Sequence, residues 1–136
     1  MTNFITRDAA QNANDIQFED VPVDEWTPGA VIRIVGMNSK EASSYSRKLV
    51  EIDQKGIVKN VRMDSFMEDL IIRTACDENF NRLFTKDDKE WLSKKSAKVL
   101  KRLSDVAARL SGISDDAEKN AIKNSDGITD EEESSD

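Results

Sequence analysis

Residues 77–88, DENFNRLFTKDD, come nearest in the chain to a pattern that does chemistry. Asp77, Asn79 and Asn81 alternate and Asp88 closes the twelfth position, where a calcium loop places oxygen ligands. Such a loop also requires glycine at its sixth position, for a sharp turn, and a bidentate glutamate at its twelfth. Arg82 stands sixth here, a cation where the chain would have to bend around a cation, and Asp88 is one methylene short of a glutamate. The residues read better as a joint between helices. Asp77, Asn79 and Asn81 form a polar helix end and turn, Leu83 and Phe84 drop into the core, and Thr85 opens the next helix with Asp88 three positions on.

The rest of the chain offers little to catalysis. It has no histidine, which removes the commonest general base and transition-metal ligand. The missing histidine also excludes Ser-His-Asp and Cys-His triads, and with only one cysteine besides it effectively excludes a zinc site. Cys76 is expected near the end of a long helix, as a small buried apolar residue without a partner base. Lys94, Lys95, Lys98, Lys101, Arg102 and Arg109 make a basic face that could meet phosphates. The chain is acidic overall, at net −7, and lacks interleaved aromatics, so a solvated face is favoured over nucleic-acid binding. No enzyme activity and no cofactor are expected.

A length of 136 residues suits one domain with a real core. No run approaches the roughly 18 apolar residues that span a bilayer, and the N-terminus has neither the basic flank nor the apolar stretch of a signal peptide. One cysteine fits a reducing compartment. Residues 114–136 hold nine acids and two lysines, so they carry the whole net charge of −7 with almost nothing to bury. We expect a folded domain over 1–113 and a disordered acidic tail over 114–136.

The elements that must position these residues follow from period and punctuation. Thr6 caps a short helix over 7–13. Ile16, Phe18, Val21 and Val23 alternate with polar residues, with a shift of phase near Glu19 and Asp20, and Pro22 marks an edge strand. Thr27-Pro28-Gly29-Ala30 has the residues of a type II turn, and the β-branched AVIRIVG follows, which predicts a β-hairpin. Asn38 or Ser39 caps a helix over 39–55 with Ala42, Tyr45, Leu49 and Ile52 on one face and Gly56 as its stop. Val61, Met63, Phe66, Met67, Leu70, Ile71 and Ala75 predict a second helix from about 60 to 76. Ser93 or Ser96 starts a last helix, with Val99, Leu100, Leu103, Val106, Ala107 and Leu110 as its apolar face and Gly112 as its stop. The class is α+β: a small β-hairpin followed by a bundle of about four helices. Trp91, at helical spacing with Leu92, reads as core by default. Trp26, beside the Pro-Gly turn, reads equally as core or as a partner-facing anchor.

Three pieces in this order resemble the tail assembly chaperones of long-tailed phages, over most of residues 4–113. The first is FITRDAAQNANDIQFEDVPVDEW, similar to a short helix leading into a V-x-V-P-E-W-like strand. The second, AVIRIVGMNSKE, is similar to V-x-V-R-x-L-T-x-x-E. The third and most specific runs from DENFNRLF through KDDKEWLSKKS, and is similar to D-x-D-G-x-x-L-F-x-x-x-D-x-x-W-L-x-x-K-S. It matches at Asp77, Asn79, Leu83, Phe84, Asp88, Trp91, Leu92, Lys95 and Ser96, and Leu103 and Leu110 follow. Phe80 stands where that pattern has glycine, and WTPG replaces its W-G-G.

The resemblance implies a non-enzymatic chaperone in the host cytoplasm, absent from the mature virion. It implies binding to the phage tape-measure protein, help in recruiting tail-tube subunits, meaning the major tail protein, and self-association, with no membrane partner. The expected contact surface is apolar, around Trp26, Phe84 and Trp91 and along Val99, Leu103 and Leu110 of the last helix. The rivals are a structural minor tail or tail-completion protein and a regulator that answers to calcium or nucleic acid.

Overall fold

The structure, a computed structural model, describes residues 2–52, 58–61 and 65–113. The expected turn organises its main sheet. Ala30 donates its N–H to the Thr27 carbonyl at 3.0 Å, and Gly29 takes φ +78°, the left-handed conformation a type II turn requires there. Asp24 Oδ1 accepts the Gly29 N–H at 2.8 Å and stiffens the bend. The flanking strands, β1 (Phe18–Pro22) and β2 (Val31–Val35), pair antiparallel from Phe18 opposite Val35 to Pro22 opposite Val31. Pro22 lies on an edge strand, where its missing N–H breaks no ladder. The register through Glu19 and Asp20 is regular. The apparent shift of phase arises because Phe18 is an outward-facing aromatic, while Val21 is turned into the core.

The class is α+β, as expected, but two of the helices are shorter than expected. Helix α1 (Arg7–Asn12) is capped by Thr6. Helix α2 (Ser39–Leu49) is capped by Asn38: its Oδ1 accepts the Glu41 N–H at 2.8 Å and its own N–H reaches Glu41 Oε1 at 3.0 Å. The helix ends at Leu49, short of the expected 55. The chain continues as β3 (Val50–Ile52), antiparallel to β4 (Val58–Val61), because Val50 and Ile52 suit a ladder at least as well as a helix. Val61 therefore belongs to a strand, and Gly56 and Met63 lie outside the described residues. Helix α3 (Phe66–Thr74) is shorter than the predicted 60–76. Ala75 and Cys76 form β5, which pairs with β2 opposite Ile34 and Arg33 and completes a three-stranded sheet. Cys76 is buried as expected, but on a strand.

After β5, a 3-10 turn (Lys86–Asp88) leads into α4 (Lys89–Leu92), and α5 (Ala97–Leu110) closes the described chain. Thr85 makes the predicted capping box, and Ser96 caps α5 by accepting the Lys98 N–H at 3.2 Å. Gly112, at φ +75°, ends α5 with the Ile113 N–H on the Ala108 carbonyl, the six-to-one bond of a Schellman stop. The acidic segment 114–136 lies outside the described residues.

The core lies between one sheet face and helices α3 and α5. Val21, Val23, Ile32 and Ile34 meet Leu70, Ile71, Val99, Leu100, Leu103 and Ala107 in one cluster. Three of the six basic residues expected on this face form ion pairs, two of them with the hairpin; Lys94 and Lys95 precede α5. Arg102 pairs with Glu25 and donates to the Pro22 carbonyl at 3.0 Å, Arg109 pairs with Glu19, and Lys101 with Asp105 one turn on. The guanidinium of Arg102 holds the Glu25 carboxyl down to about 2 from its ordinary 4.5. Arg33 lowers Asp20 in the same way. In both, the folded chain binds fewer protons than the unfolded one, so the stabilisation is present above the unfolded value and is lost as pH falls. We expect the urea midpoint to drop between about pH 4.5 and about pH 2. Glu25→Gln should flatten that drop, and an unchanged slope would count against the pair.

Candidate functional site

Trp26 follows β1, Phe84 lies between β5 and the 3-10 turn, and Trp91 is on α4, yet the fold brings all three to one cleft of about 370 Å³. Its floor is Val23, Ile32 and Phe84, all buried, and half-buried Trp26 packs on the core beside them. Its rim is Trp91, 41% exposed, Leu83, 43% exposed, and Val31. The Phe84 and Trp91 rings meet edge to face with centroids 5.7 Å apart. Trp91 Nε1 donates to Asp88 Oδ1 at 2.9 Å, so the indole's one polar group is satisfied, and the Lys95 ammonium stands over its ring at 5.8 Å from the centroid. Asp88 also accepts the Thr85 N–H at 2.8 Å, and these two donors hold its carboxyl below the usual range. Among the described residues it is the one carboxylate in the lining, and it is committed to holding the indole. The cleft has the size and apolar character to take a hydrophobic segment.

The placement corrects several expectations. Trp91 lies outside the core; Leu92, fully buried, takes the place predicted for it. Leu83 is at the rim instead of in the core. Val99 and Leu103 are closed in the interior and offer no surface in this fold, and Leu110 is half-buried against the core. Val31 and Leu83 were not marked as surface by sequence reasoning. The available signal was the strict alternation along β2, which turns Val31 outward once Ile32 faces the core.

The first half of the stretch 77–88 forms a hairpin-like turn that ends at Arg82, and the second half is the capped 3-10 turn. Asp77 Oδ1 accepts the N–H groups of Asn79 at 2.8 Å and Asn81 at 3.0 Å, and Cys76 bridges Arg82 across the bend. The carboxylates at both ends of the supposed metal loop are thus engaged by protein groups, and the Asn81 and Asn79 amides keep Asp77 lowered. Phe80 takes φ +64°, a left-handed conformation that explains a glycine at this place in the resembling pattern. Its ring offers compensation. It meets Phe18 edge to face at 5.2 Å, and the Arg33 guanidinium stacks over both rings at 4.3 and 4.8 Å while pairing with Asp20. Phe80→Ala loses the ring and keeps the strain, so we expect a loss of about 1 kcal/mol. Phe80→Gly also relieves the strain and should stay within about 0.5 kcal/mol of wild type. Equal losses in the two variants, by urea denaturation, would refute this account.

A polar hollow lies on the other side of Val31, lined by Asp20, Arg33, Cys76, Asp77, Glu78, Asn79 and Leu83. Arg33 is used up there by Asp20 and the Glu78 carbonyl, and burial pushes the Cys76 thiol up, away from thiolate chemistry. No helix among the described residues is long and apolar enough to cross a membrane. Comparison of the chain with models of known protein families, with curated proteins and with solved structures finds no match.

Proposed function

We propose that the chain is a non-enzymatic assembly chaperone of a long-tailed phage, which binds the tape-measure protein through the cleft of Trp26, Phe84 and Trp91. The observation that carries this reading is the convergence of these aromatics on an open apolar surface, where the Asp88 carboxylate is structurally engaged. The resemblance of three pieces, over most of residues 4–113, to that family suggests the identity of the client. A long helical tape-measure protein presents apolar stripes until the tube surrounds it, and an apolar cleft is suited to cover them. In this reading the chaperone keeps its client soluble in the host cytoplasm, helps to bring in tail-tube subunits and is left behind when the virion is complete.

The test is a tagged pull-down from cells producing the phage, with bound proteins identified by mass spectrometry. The tape-measure protein should be recovered with wild type and reduced about tenfold with Trp91→Ala, the usual scale of an aromatic anchor. The chain should be missing from purified particles. Its presence there would favour a minor tail or tail-completion protein, and failure to capture the tape-measure protein would reject the chaperone role.

A further inference from the structure

The aromatic cleft and the polar hollow are neighbours on one face, and Val31 and Leu83 line both. That face is the outer side of the sheet. Pro22 lies opposite Val31 there and Asp20 opposite Arg33. Phe18, Asp20, Pro22 and Val31 are all exposed on it. From Phe18 onward, the large exposed apolar residues among the described ones are Phe18, Val31, Phe80, Leu83 and Trp91. All five belong to this face. Val31, Leu83 and Trp91 line the cleft, and Phe18 and Phe80 flank the guanidinium of Arg33 in the hollow. Apolar residues gathered in this way mark a contact surface.

The charge along this trough is graded. The hollow holds three carboxylates, Asp20, Asp77 and Glu78, and one guanidinium, Arg33. Asp20 takes that guanidinium with both oxygens, Nε to Oδ1 at 2.7 Å and Nη2 to Oδ2 at 3.0 Å. Asp77 and Glu78 are left without a cation of their own. The backbone N–H groups of Asn81 and Asn79 keep Asp77 ionised. The Glu78 side chain is exposed and in no ion pair among the described residues; its backbone carbonyl accepts from Arg33 at 3.1 Å. At the other end, the Lys95 ammonium stands over the Trp91 ring. The trough is thus negative at the hollow, apolar between, and positive beyond Trp91.

We infer that its occupant is a helical segment of the client that places an apolar residue in the cleft and, three or four positions along, a lysine or arginine against Glu78 and Asp77. The spacing comes from the sheet. Val31 and Arg33 share one face of β2, two residues and so about 6–7 Å apart. One turn of a helix advances about 5.4 Å and returns to the same face, which matches that step. A basic residue there meets two carboxylates with no cation of their own, and an acidic one is repelled. The gradient also sets which way round the segment lies, because a basic residue at the Trp91 end would meet Lys95. The occupant is assigned on the reading that the cleft takes the client.

The test is capture of the tape-measure protein by the purified full-length chain at low and at physiological salt, with wild type, Glu78→Gln, Glu78→Lys and Trp91→Ala. Circular dichroism serves as the folding control, and Glu78→Gln carries the test should Glu78→Lys fail to fold. Glu78→Gln should weaken capture about threefold and Glu78→Lys about tenfold, since an exposed pair contributes up to about 1 kcal/mol and reversal adds a repulsion of similar size. Added salt should weaken wild type more than Glu78→Gln. Among synthetic peptides that tile the client, those that bind should carry a basic residue three or four positions from an apolar one. Replacing that basic residue by glutamate should abolish binding to wild type and restore it to Glu78→Lys. Capture that Trp91→Ala reduces and Glu78→Lys leaves unchanged or tightens overturns the basic occupant while the chaperone reading stands. Failure of wild type to capture the client overturns both. Self-association of the chain alone that Glu78→Lys abolishes would give the trough to a second copy and overturn the inference as well.

Discussion

Leu103→Ala should lower stability by about 2–5 kcal/mol, the range for truncating a buried leucine that leaves a cavity. Leu103 is 0% exposed, midway along α5, the helix that packs against α3 and against both strands of the hairpin. A void there withdraws contacts from two layers at once, and neither layer can collapse onto it alone. Total stabilities of domains this size are about 5–15 kcal/mol, so the loss would be a large fraction of the whole. Urea denaturation followed by tryptophan emission measures it. The outcome also separates two roles for this position. A client-facing Leu103 would give nearly wild-type stability and weakened capture. The interior placement predicts the reverse, with any loss of capture following the loss of folded protein.

Gly36→Ala should destabilise by about 1–3 kcal/mol, from crowding rather than from conformation. A Cβ added at Gly36 would lie 2.5 Å from the carbonyl oxygen of Leu110, 3.0 Å from its carbonyl carbon and 3.3 Å from its Cβ. The first two are backbone atoms in the last residue of α5, so no side chain can swing aside. The end of α5 is moreover tied to the segment after β2, because Ser111 Oγ accepts the Met37 N–H at 2.9 Å. Making room would lift the helix end from the sheet, weaken that bond and disturb the Gly112 stop. Gly29→Ala is the control. Nothing lies within 4 Å of its added Cβ, and only the φ of +78° opposes the change. It should cost about 1 kcal/mol. Equal effects at the two glycines would mean that crowding at Leu110 is not what reserves position 36.

The local devices were legible before any coordinates. Thr6, Thr85, Ser96 and Gly112 begin and end helices where capping chemistry places them, and Thr27-Pro28-Gly29-Ala30 turns as its residues require. Each is an interaction within a few residues, complete in the sequence that contains it. The boundaries that shifted were set by distant partners. Ala75 and Cys76 leave helical conformation to pair with β2, some 40 positions earlier in the chain, and Val50–Ile52 pairs with Val58–Val61 instead of extending α2. Both segments suit either state, so pairing decides.

By itself, then, the sequence determined the α+β class, the hairpin, the caps and the lack of histidine chemistry, because composition and short-range hydrogen bonding suffice for these. Tertiary structure alone decided which apolar residues are surface. Val99 and Leu103 had the same hydrophobic credentials as Trp91 and Leu83, but α5 is covered by α3 and the sheet, while the short α4 leaves one side of Trp91 uncovered. Burial depends on what packs against an element, and an amphipathic pattern marks a face without naming what covers it. The cleft exists for that reason: residues from three separated segments meet, and no fourth element among the described residues closes over them.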